Sequence, residues 1–352
     1  MSLILIHSPS PAHADMLEAP DDDPGHAPWI CLRHRLRAQG DDIATTWRRP
    51  GDLDKAAWIL FMNIPATLAS PVMALITHAV APLRGRRTET VWRRVRKLST
   101  PPRLGLFLWE PEVVMPENYH EKLHLQFDCV FTWKSDLAAR GGLYHPIVWP
   151  QPSGLPEPAN PAFAERRLLA NFSGNKHSPH RLELYSARVE VIRHMEARHP
   201  DAFDHYGFGW SADYPSWRGP AASKFDLYPR NRFGLCYENM QSVRGYVTEK
   251  IFDCLQAGTV PVYWGAPDIT DHVPAEAFVD RRAFTSTAEM IEHLLNMREE
   301  QWTALRDAGQ RYLRSPGFQR FLPAAFARMV IDGLAATPFP KCQPGTDSKP
   351  LS

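Results

Sequence analysis

Short apolar runs recur along the chain, and each is followed by a segment long enough to form a helix. In the first part of the chain these runs are residues 3–6, 57–62, 104–108 and 129–132. Such runs are typical of strands in a parallel sheet, which is buried on both faces because helices cover it on either side. The sequence therefore predicts an α/β fold with a mostly parallel, doubly covered sheet.

The same alternation begins again after residues 149–158, a segment rich in proline and glycine that we interpret as a linker. Beyond it, apolar runs predict strands over residues 168–172, 203–207, 232–237 and 260–264. Helices are predicted over 181–198 and 247–256, the second followed by Gly258, and in much of 286–335. We therefore expect two α/β domains that share a cleft, residues 1–155 and 156–337, and a disordered tail over 338–352.

The composition narrows the classes of function and location. Proline accounts for 33 of the 352 residues, against a usual share of ~5%, which disfavours a bundle of long helices. Lys and Arg number 40 and Asp and Glu 39, so the formal net charge of +1 argues against a nucleic-acid partner. The cysteines form no metal-binding pair, and the first apolar run is too short for a signal peptide, so we expect a cytoplasmic protein.

A basic stretch over residues 84–103 lies between two of the predicted strands. Its cations are Arg84, Arg86, Arg87, Arg93, Arg94, Arg96, Lys97 and Arg103. Two interpretations are open, a helix with a solvated basic face or a surface that contacts an anionic membrane or a charged glycolipid. On the second interpretation the protein is peripherally associated with the membrane.

Residues 228–278 contain the pattern that is most informative about chemistry. The strand 232–237 ends in Glu238 and Asn239, and ligands of open α/β sheets bind beyond the carboxyl ends of strands. The next helix is predicted to begin near Thr248, which places the cation of Lys250 in the first turn, where it opposes the helix dipole. A bound anion such as a nucleotide diphosphate would reverse that cost. The alternative is that Lys250 pairs with Glu249 or Asp253 on the surface.

Three ordered blocks in this segment resemble the donor-binding signature of the α1,3/α1,4-fucosyltransferases, glycosyltransferase family 10. They are Phe-x-Leu-x-Tyr-Glu-Asn at 233–239, Tyr-Val-Thr-Glu-Lys-Ile at 246–251 and Gly-Thr-Val-Pro-Val-Tyr-Trp-Gly at 258–265. The resemblance implies a GT-B architecture, in which two Rossmann-like domains face a central cleft. It also implies that the second domain binds GDP-fucose and that the first binds the acceptor.

The resemblance assigns roles to individual residues of the second domain. Lys250 would contact the diphosphate, Glu249 would contact the ribose or the fucose, and Tyr246 and Asn239 would line the donor pocket. Residues 171–185 resemble the family's stretch that ends in Arg-x-x-x-Tyr, here Arg181 and Tyr185, which would make Arg181 a second cation on the diphosphate. The alternative for Arg181 is a surface arginine early in a helix.

The general base is expected at the end of a strand in the first domain. Inverting transfer requires a group that takes the acceptor's hydroxyl proton while the sugar–phosphate bond breaks on the opposite face. Leu-Phe-Leu-Trp-Glu-Pro-Glu at 106–112 resembles the family's catalytic neighbourhood, although its flanking residues depart from the commoner Glu-Ser-Pro. We expect Glu110 to be the base because Trp109 and Pro111 can desolvate it and raise its pKa. Glu112 is the competing choice.

Two further clusters are weaker candidates. Residues 21–23 are three aspartates that could be imagined as a metal site with His13 or His26, but adjacent acids in a loop are usually solvated. Because cations and a helix terminus can hold a diphosphate, we expect no metal or other cofactor to be required. Trp210, Tyr214 and Trp217 could stack on a sugar or a base, although core packing explains such clusters more often.

The sequence thus predicts an enzyme of glycan biosynthesis that transfers L-fucose, with inversion, from GDP-β-L-fucose to a hydroxyl of an acceptor oligosaccharide or glycolipid. One alternative is a GT-B glycosyltransferase that uses another sugar nucleotide. Another is a two-lobed carbohydrate-binding protein without catalysis. The acceptor, the linkage position and the oligomeric state are not predicted.

Overall fold

The computed structural model describes residues 1–21, 23–69 and 90–338, in which strands and helices alternate. The strands are β1 Leu3–His7, β2 Asp42–Thr45, β3 Ala56–Met62, β4 Arg103–Leu108, β5 Cys129–Thr132, β6 Tyr144–Pro146, β7 Arg167–Phe172, β8 Phe203–Tyr206, β9 Asn231–Tyr237, β10 Val260–Trp264 and β11 Val279–Asp280. The helices are α1 Ala27–Ala38, α2 Ala66–Ala69, α3 Val91–Val95, α4 Glu121–His124, α5 Ser135–Ala138, α6 Tyr185–Arg198, α7 Lys224–Leu227, α8 Glu249–Gln256, α9 Thr287–Asn296, α10 Glu299–Leu313, α11 Pro316–Gln319 and α12 Pro323–Ala336.

These strands form two parallel sheets. In the described residues the first sheet has the order β2-β1-β3-β4-β5-β6 and the second the order β11-β10-β9-β7-β8. The strand order reverses between β1 and β3 in the first sheet and between β7 and β9 in the second. Reversals of this kind open a crevice at the carboxyl ends of the strands, where ligands of α/β proteins bind. The predicted α/β fold with parallel sheets is confirmed.

The apolar runs became strands because both of their faces are buried. Every residue of β5 is buried, and β4 is buried from Leu104 to Leu108. Helix α8 instead buries one face, Ile251, Phe252, Cys254 and Leu255, against the second sheet. Burying apolar surface contributes about 25 cal/mol per Å² before the entropy of ordering the chain is counted, so these alternating faces determine where each helix packs.

The final helix crosses back to the first sheet. Phe326, Val330 and Leu334 of α12 lie in the same apolar cluster as Trp29 of α1, and the Arg103 guanidinium donates hydrogen bonds to the carbonyls of Thr337 and Pro338. The division into domains 1–155 and 156–337 stays a prediction. By its packing, however, α12 belongs with the N-terminal sheet rather than with the sheet of the second half.

Several local expectations differ from the structure. Helix α6 begins at Tyr185 and not at residue 181, because residues 181–184 form a turn in which Glu183 bridges to Met240. The short strands β2, β6 and β11 were not predicted, since runs of two to four residues carry little periodic signal.

Two predicted segments lie partly or wholly outside the described residues. The basic stretch is described only from residue 90, where Thr90 caps α3, and the predicted tail is described only at Pro338. No described helix combines the length and the apolar character needed to cross a bilayer.

Candidate active site

The loop after β4 carries Glu110 at the carboxyl edge of the first sheet, and an asparagine from the neighbouring strand holds it there. Asn63 directly follows β3 and has a left-handed backbone with φ of 71°, which asparagine tolerates better than most residues. Its Oδ1 accepts hydrogen bonds from the backbone N–H groups of Trp109 at 2.9 Å and Glu110 at 2.8 Å. The loop after β3 therefore fixes the loop after β4.

A second asparagine, Asn118, holds the same loop through the Glu110 carbonyl. Asn118 is fully buried, and its Nδ2 donates to Asn63 Oδ1 at 2.7 Å and to the Glu110 carbonyl at 3.0 Å. The Tyr119 hydroxyl donates to the same carbonyl at 3.1 Å. The main chain of Glu110 is thus held through both its N–H and its C=O.

The Glu110 side chain faces cations of the second domain. Burial raises the pKa of Glu110, Lys176 and Lys250 offset part of that rise, and Glu249 adds to it. Glu112, the competing choice, has a side chain that is 43% exposed and lies 4.0 Å from His180 Nε2. Of the two carboxylates, Glu110 therefore has the environment expected of a general base.

The end of β9 and the start of α8 form a buried polar centre around Glu238. This carboxylate is fully buried and accepts the Thr248 N–H at 2.8 Å and the Thr248 hydroxyl at 2.7 Å. Thr248 occupies the N-cap position of α8, as predicted, but its hydroxyl donates to Glu238 and makes no capping hydrogen bond. From the sequence, Glu238 is recognisable only as the end of a strand, and the pattern assigns it no role.

Lys250 lies in the first turn of α8 and is held by the same centre. Its Nζ lies 3.2 Å from Glu238 Oε2, 3.0 Å from Thr248 Oγ1 and 3.5 Å from Glu249 Oε1. Burial acts to lower the pKa of Lys250, but Glu238 and Glu249 outweigh it, so the pKa is raised and the ammonium stays charged. Pairing with Glu249 was foreseen, whereas Asp253 instead pairs with Lys224 at 2.8 Å.

Glu249 stays ionised beside these cations. Burial acts to raise the pKa of Glu249, but Lys250, Lys224 and hydrogen bonds at the helix start lower it to about 2. Its side chain keeps 37% of its surface exposed, so the carboxylate can still reach a ligand.

A buried arginine that the sequence analysis missed braces the end of β9. One terminal nitrogen of Arg188 donates to the carbonyls of Tyr237 at 2.7 Å and Glu238 at 2.6 Å and to Asn239 Oδ1 at 3.0 Å. Arg188 also faces Lys250 closely enough to act on its pKa. Its position between Leu184, Val191, Ile192 and Met195, on the apolar stripe of the predicted helix, was the signal that could have revealed it.

The other predicted donor residues divide into buried and exposed ones. Tyr185 and Tyr246 are buried where the two domains meet, and Tyr246 packs on Trp133 with ring centroids 4.7 Å apart. Burial raises the pKa of both phenols, and both feel the charge of Glu110. Arg181 is exposed in the turn before α6 and forms no ion pair with any described residue.

A glycine allows the domains to approach each other beside these residues. Gly245 has φ of 81°, and a Cβ there would lie 2.2 Å from the Trp133 carbonyl oxygen. The neighbouring Arg244 carbonyl accepts the Ser135 N–H at 3.2 Å, which links the second domain to the first. The two domains therefore touch beside the cleft, in which Glu249 and Lys250 of α8 act on the charge of Glu110.

The weaker candidate clusters do not join this site. Asp21 pairs with Arg33 and Asp23 with His26, and the described residues contain no group of three or more side chains suited to a metal. Trp210 packs in the core of the second domain, with Tyr214 4.6 Å away and Trp217 at the margin of the same cluster. Core packing therefore accounts for the aromatic cluster.

Sequence comparisons with known proteins point to glycosyltransferases. Residues 175–306 match the sequence profile described as glycosyltransferase family 10 (fucosyltransferase), C-terminal. Within the second half of the chain, residues 175–306 are thus similar to the C-terminal domain of glycosyltransferase family 10. The chain is 29% identical to α-(1,3)-fucosyltransferase 7 of Homo sapiens over 65% of its own length and 62% of that protein's. It is 36% identical to α-(1,3)-fucosyltransferase FucT of Helicobacter pylori over 20% of its own length and 15% of that protein's. It thus spans less than two thirds of either relative.

Similarity to solved structures shows that the chain has a GT-B fold. The chain superposes on an α1,3-fucosyltransferase with GDP at a TM-score of 0.54 and 13% identity, covering 95% of this chain and 90% of that one. It superposes on Anabaena HepE in complex with UDP and glucose at a TM-score of 0.53 and 12% identity, covering 96% and 100%. The predicted GT-B architecture of two Rossmann-like domains is confirmed.

Proposed function

We propose that the protein is an inverting fucosyltransferase that moves L-fucose from GDP-β-L-fucose to a hydroxyl of an acceptor oligosaccharide or glycolipid. The observation that carries this proposal is the placement of Glu110, a half-buried carboxylate with a raised pKa, opposite Lys250 across the cleft. The family 10 match supports fucose as the sugar, and the fucosyltransferase neighbour solved with GDP supports a guanosine diphosphate carrier.

The proposed reaction uses groups of the chain itself. Glu110 accepts the proton of the acceptor hydroxyl as that oxygen forms a bond to the anomeric carbon of fucose. On the opposite face, the bond from that carbon to the β-phosphate oxygen breaks, and GDP leaves with the electron pair. Lys250 and the N–H groups at the start of α8 stabilise the negative charge that develops on the diphosphate.

Each predicted donor residue keeps its proposed role. We assign Arg181 to the diphosphate as a second cation, which its exposed position permits, and Glu249 to a hydroxyl of ribose or fucose. Asn239, Tyr246 and Tyr185 would shape the donor pocket, and Arg188 would hold the Asn239 amide in place. That the reaction needs no metal stays a prediction.

The proposal is tested with a panel of radiolabelled sugar nucleotides and a glycan array. We expect transfer from GDP-fucose alone, and the product should be α-linked. Transfer from a different sugar nucleotide would favour the alternative GT-B enzyme, and saccharide binding without turnover of any donor would favour a carbohydrate-binding protein. A cytoplasmic location, with membrane contact through residues 84–103, stays a prediction that fractionation of cells would test.

A further inference from the structure

Glu238 is a buried acid that the proposed reaction does not use. It directly follows β9, and because its side chain is fully buried it cannot contact a ligand itself. An ionised carboxylate is costly to bury, and replacing a buried ion pair by apolar residues is often neutral or stabilising. Stability alone therefore does not account for an acid at this position, and we looked for an action of Glu238 on a neighbouring group.

The position of the Glu238 side chain is fixed by its surroundings. The Glu238 N–H donates to the Trp264 carbonyl at 2.8 Å, and Arg188 donates to the Glu238 carbonyl at 2.6 Å. At Gly265 an added Cβ would lie 2.5 Å from Glu238 Cγ and 2.6 Å from the Tyr263 hydroxyl. The carboxylate thus occupies a space that exists because residue 265 has no side chain.

From this space the carboxylate is directed at the start of α8. Its Oε1 accepts the Thr248 N–H at 2.8 Å, and its Oε2 accepts the Thr248 hydroxyl at 2.7 Å and the Lys250 ammonium at 3.2 Å. The ammonium also donates to Thr248 Oγ1 at 3.0 Å. An ammonium has three N–H donors. Glu238 and Thr248 therefore take two of them and leave the third for a ligand at the start of α8.

The charges around Lys250 show what keeps it an ammonium. Burial acts to lower the pKa of Lys250, and of the two carboxylates that raise it Glu238 has the larger effect and Glu249 the smaller. Arg188 and Lys224 act in the same direction as burial. The other ionisable groups that face Lys250 are Glu110, Asp253 and Tyr185. Without Glu238, burial and two cations would thus be opposed mainly by Glu249.

We propose that Glu238 is the positioning residue of Lys250: its carboxylate fixes the ammonium at the start of α8 and keeps it charged, so that the remaining N–H meets the diphosphate. The inference rests on the proposed function for the identity of that anion. It also explains why three separate sequence blocks occur together, since Glu238 lies in the first, Lys250 in the second and Gly265 in the third.

The test uses two variants of this centre, each with a matched control. Glu238→Gln removes the charge, whereas Gly265→Ala displaces the carboxylate and leaves its charge in place. Glu276→Gln removes an exposed carboxylate, and Gly51→Ala adds a Cβ that has no atom within 4 Å. Calorimetry measures the Kd for GDP and for guanosine, which lacks the diphosphate, at about pH 7 and about pH 9, both below the ~10.4 of an ordinary lysine.

We expect Glu238→Gln to weaken GDP about tenfold at about pH 7 and by more at about pH 9. The loss grows with pH because a buried ammonium without its carboxylate gives up its proton at lower pH. The ionisation of GDP itself cancels in the ratio of variant to wild type. Gly265→Ala should weaken GDP about threefold or more, guanosine should bind every variant alike, and the two controls should bind GDP like the wild type.

A labelling experiment tests the same inference without a ligand. Acetic anhydride acetylates neutral amines, and mass spectrometry follows each lysine separately. Lys250 should react faster in Glu238→Gln than in the wild type, and its reaction rate should begin to rise at lower pH. The exposed Lys122 should react alike in both proteins.

The inference is overturned if Glu238→Gln binds GDP as tightly as the wild type or more tightly, because the buried charge would then only repel the diphosphate. It is also overturned if GDP and guanosine weaken together, which is the result of a purely structural role. If Glu238→Gln does not fold, unchanged GDP affinity in Gly265→Ala overturns it. A wild type that does not bind GDP would refute the proposed function, and equal labelling of Lys250 in wild type and variant would then separately overturn the inference.

Discussion

Replacing Asn63 should impair the proposed reaction although Asn63 is not one of the proposed reacting groups. Its Oδ1 accepts three hydrogen bonds, from the N–H groups of Trp109 and Glu110 and from the Asn118 amide, over 2.7–2.9 Å. In Asn63→Ala these three donors lose their acceptor. A buried donor without a partner costs about 1–3 kcal/mol, and water can reach the two half-buried backbone groups, so we expect a loss of about 2–4 kcal/mol of stability.

The effect on catalysis should exceed the effect on donor binding. The loop that carries Glu110 is free to shift once Asn63 no longer holds it, and a displacement of about 1 Å can cost about 10²-fold in rate. We therefore expect kcat to fall about 100-fold in Asn63→Ala while the Kd for GDP stays within about twofold, because the GDP contacts proposed here lie in the second domain.

Two companion variants separate positioning from backbone strain. Asn63→Gly also removes the acceptor but adopts φ of 71° without cost, so it should lose kcat like Asn63→Ala and retain more stability. Asn63→Asp keeps an acceptor oxygen but adds negative charge near Glu110, so it should raise the pKa of the base.

The assays are steady-state kinetics with GDP-fucose, calorimetry with GDP and urea denaturation. The reasoning is refuted if Asn63→Gly folds stably and keeps wild-type kcat, or if the activity lost by Asn63→Ala only matches its unfolded fraction.

Three further predictions follow from the same structure. Lys250→Met should raise the Kd for GDP about 10–100-fold by calorimetry, because a charge-assisted bond of about 1.5–3 kcal/mol is lost, and an unchanged Kd would remove Lys250 from the site. Burial raises the pKa of Glu110, and a base must be ionised, so activity should fall with decreasing pH at values above the ~4.3 of an ordinary glutamate. Glu110→Gln should be nearly inactive throughout, and full activity would exclude Glu110 as the base. Gly207→Ala should destabilise the protein by about 2–5 kcal/mol in urea denaturation, because φ is 143° and the new Cβ would lie 1.8 Å from the Ser173 carbonyl oxygen. Gly51→Ala, where no atom lies within 4 Å of the new Cβ, is the control that should be neutral.

Local sequence predicted those parts of the site that depend on strand ends. Glu110 follows β4, Glu238 and Asn239 follow β9, and Lys250 lies in the first turn of α8, each within two residues of the expected boundary. Because parallel strands end at one edge of their sheet, the alternation of apolar runs already placed these residues at the cleft.

Sequence reasoning failed where a side chain's partner is distant in the chain. Arg188 was missed because its acceptors lie 49–51 residues away, at Tyr237, Glu238 and Asn239. Asn63 was missed because its partners lie 46–55 residues away. The predicted helix starts at Arg181, but α6 begins four residues later. The turn before α6 is held instead by contacts with Met240 and Asn239.

The alternation of apolar and polar residues by itself determined the two parallel sheets, and the ordered blocks of the second half determined the family resemblance. Only the tertiary structure decided which side chains meet across the cleft. It also decided that two asparagines hydrogen-bond to the main chain of Glu110 and that three tryptophans border a cavity beside it. Periodicity is a property of neighbouring residues, whereas desolvation and pairing depend on distances between segments that the folded chain alone brings together.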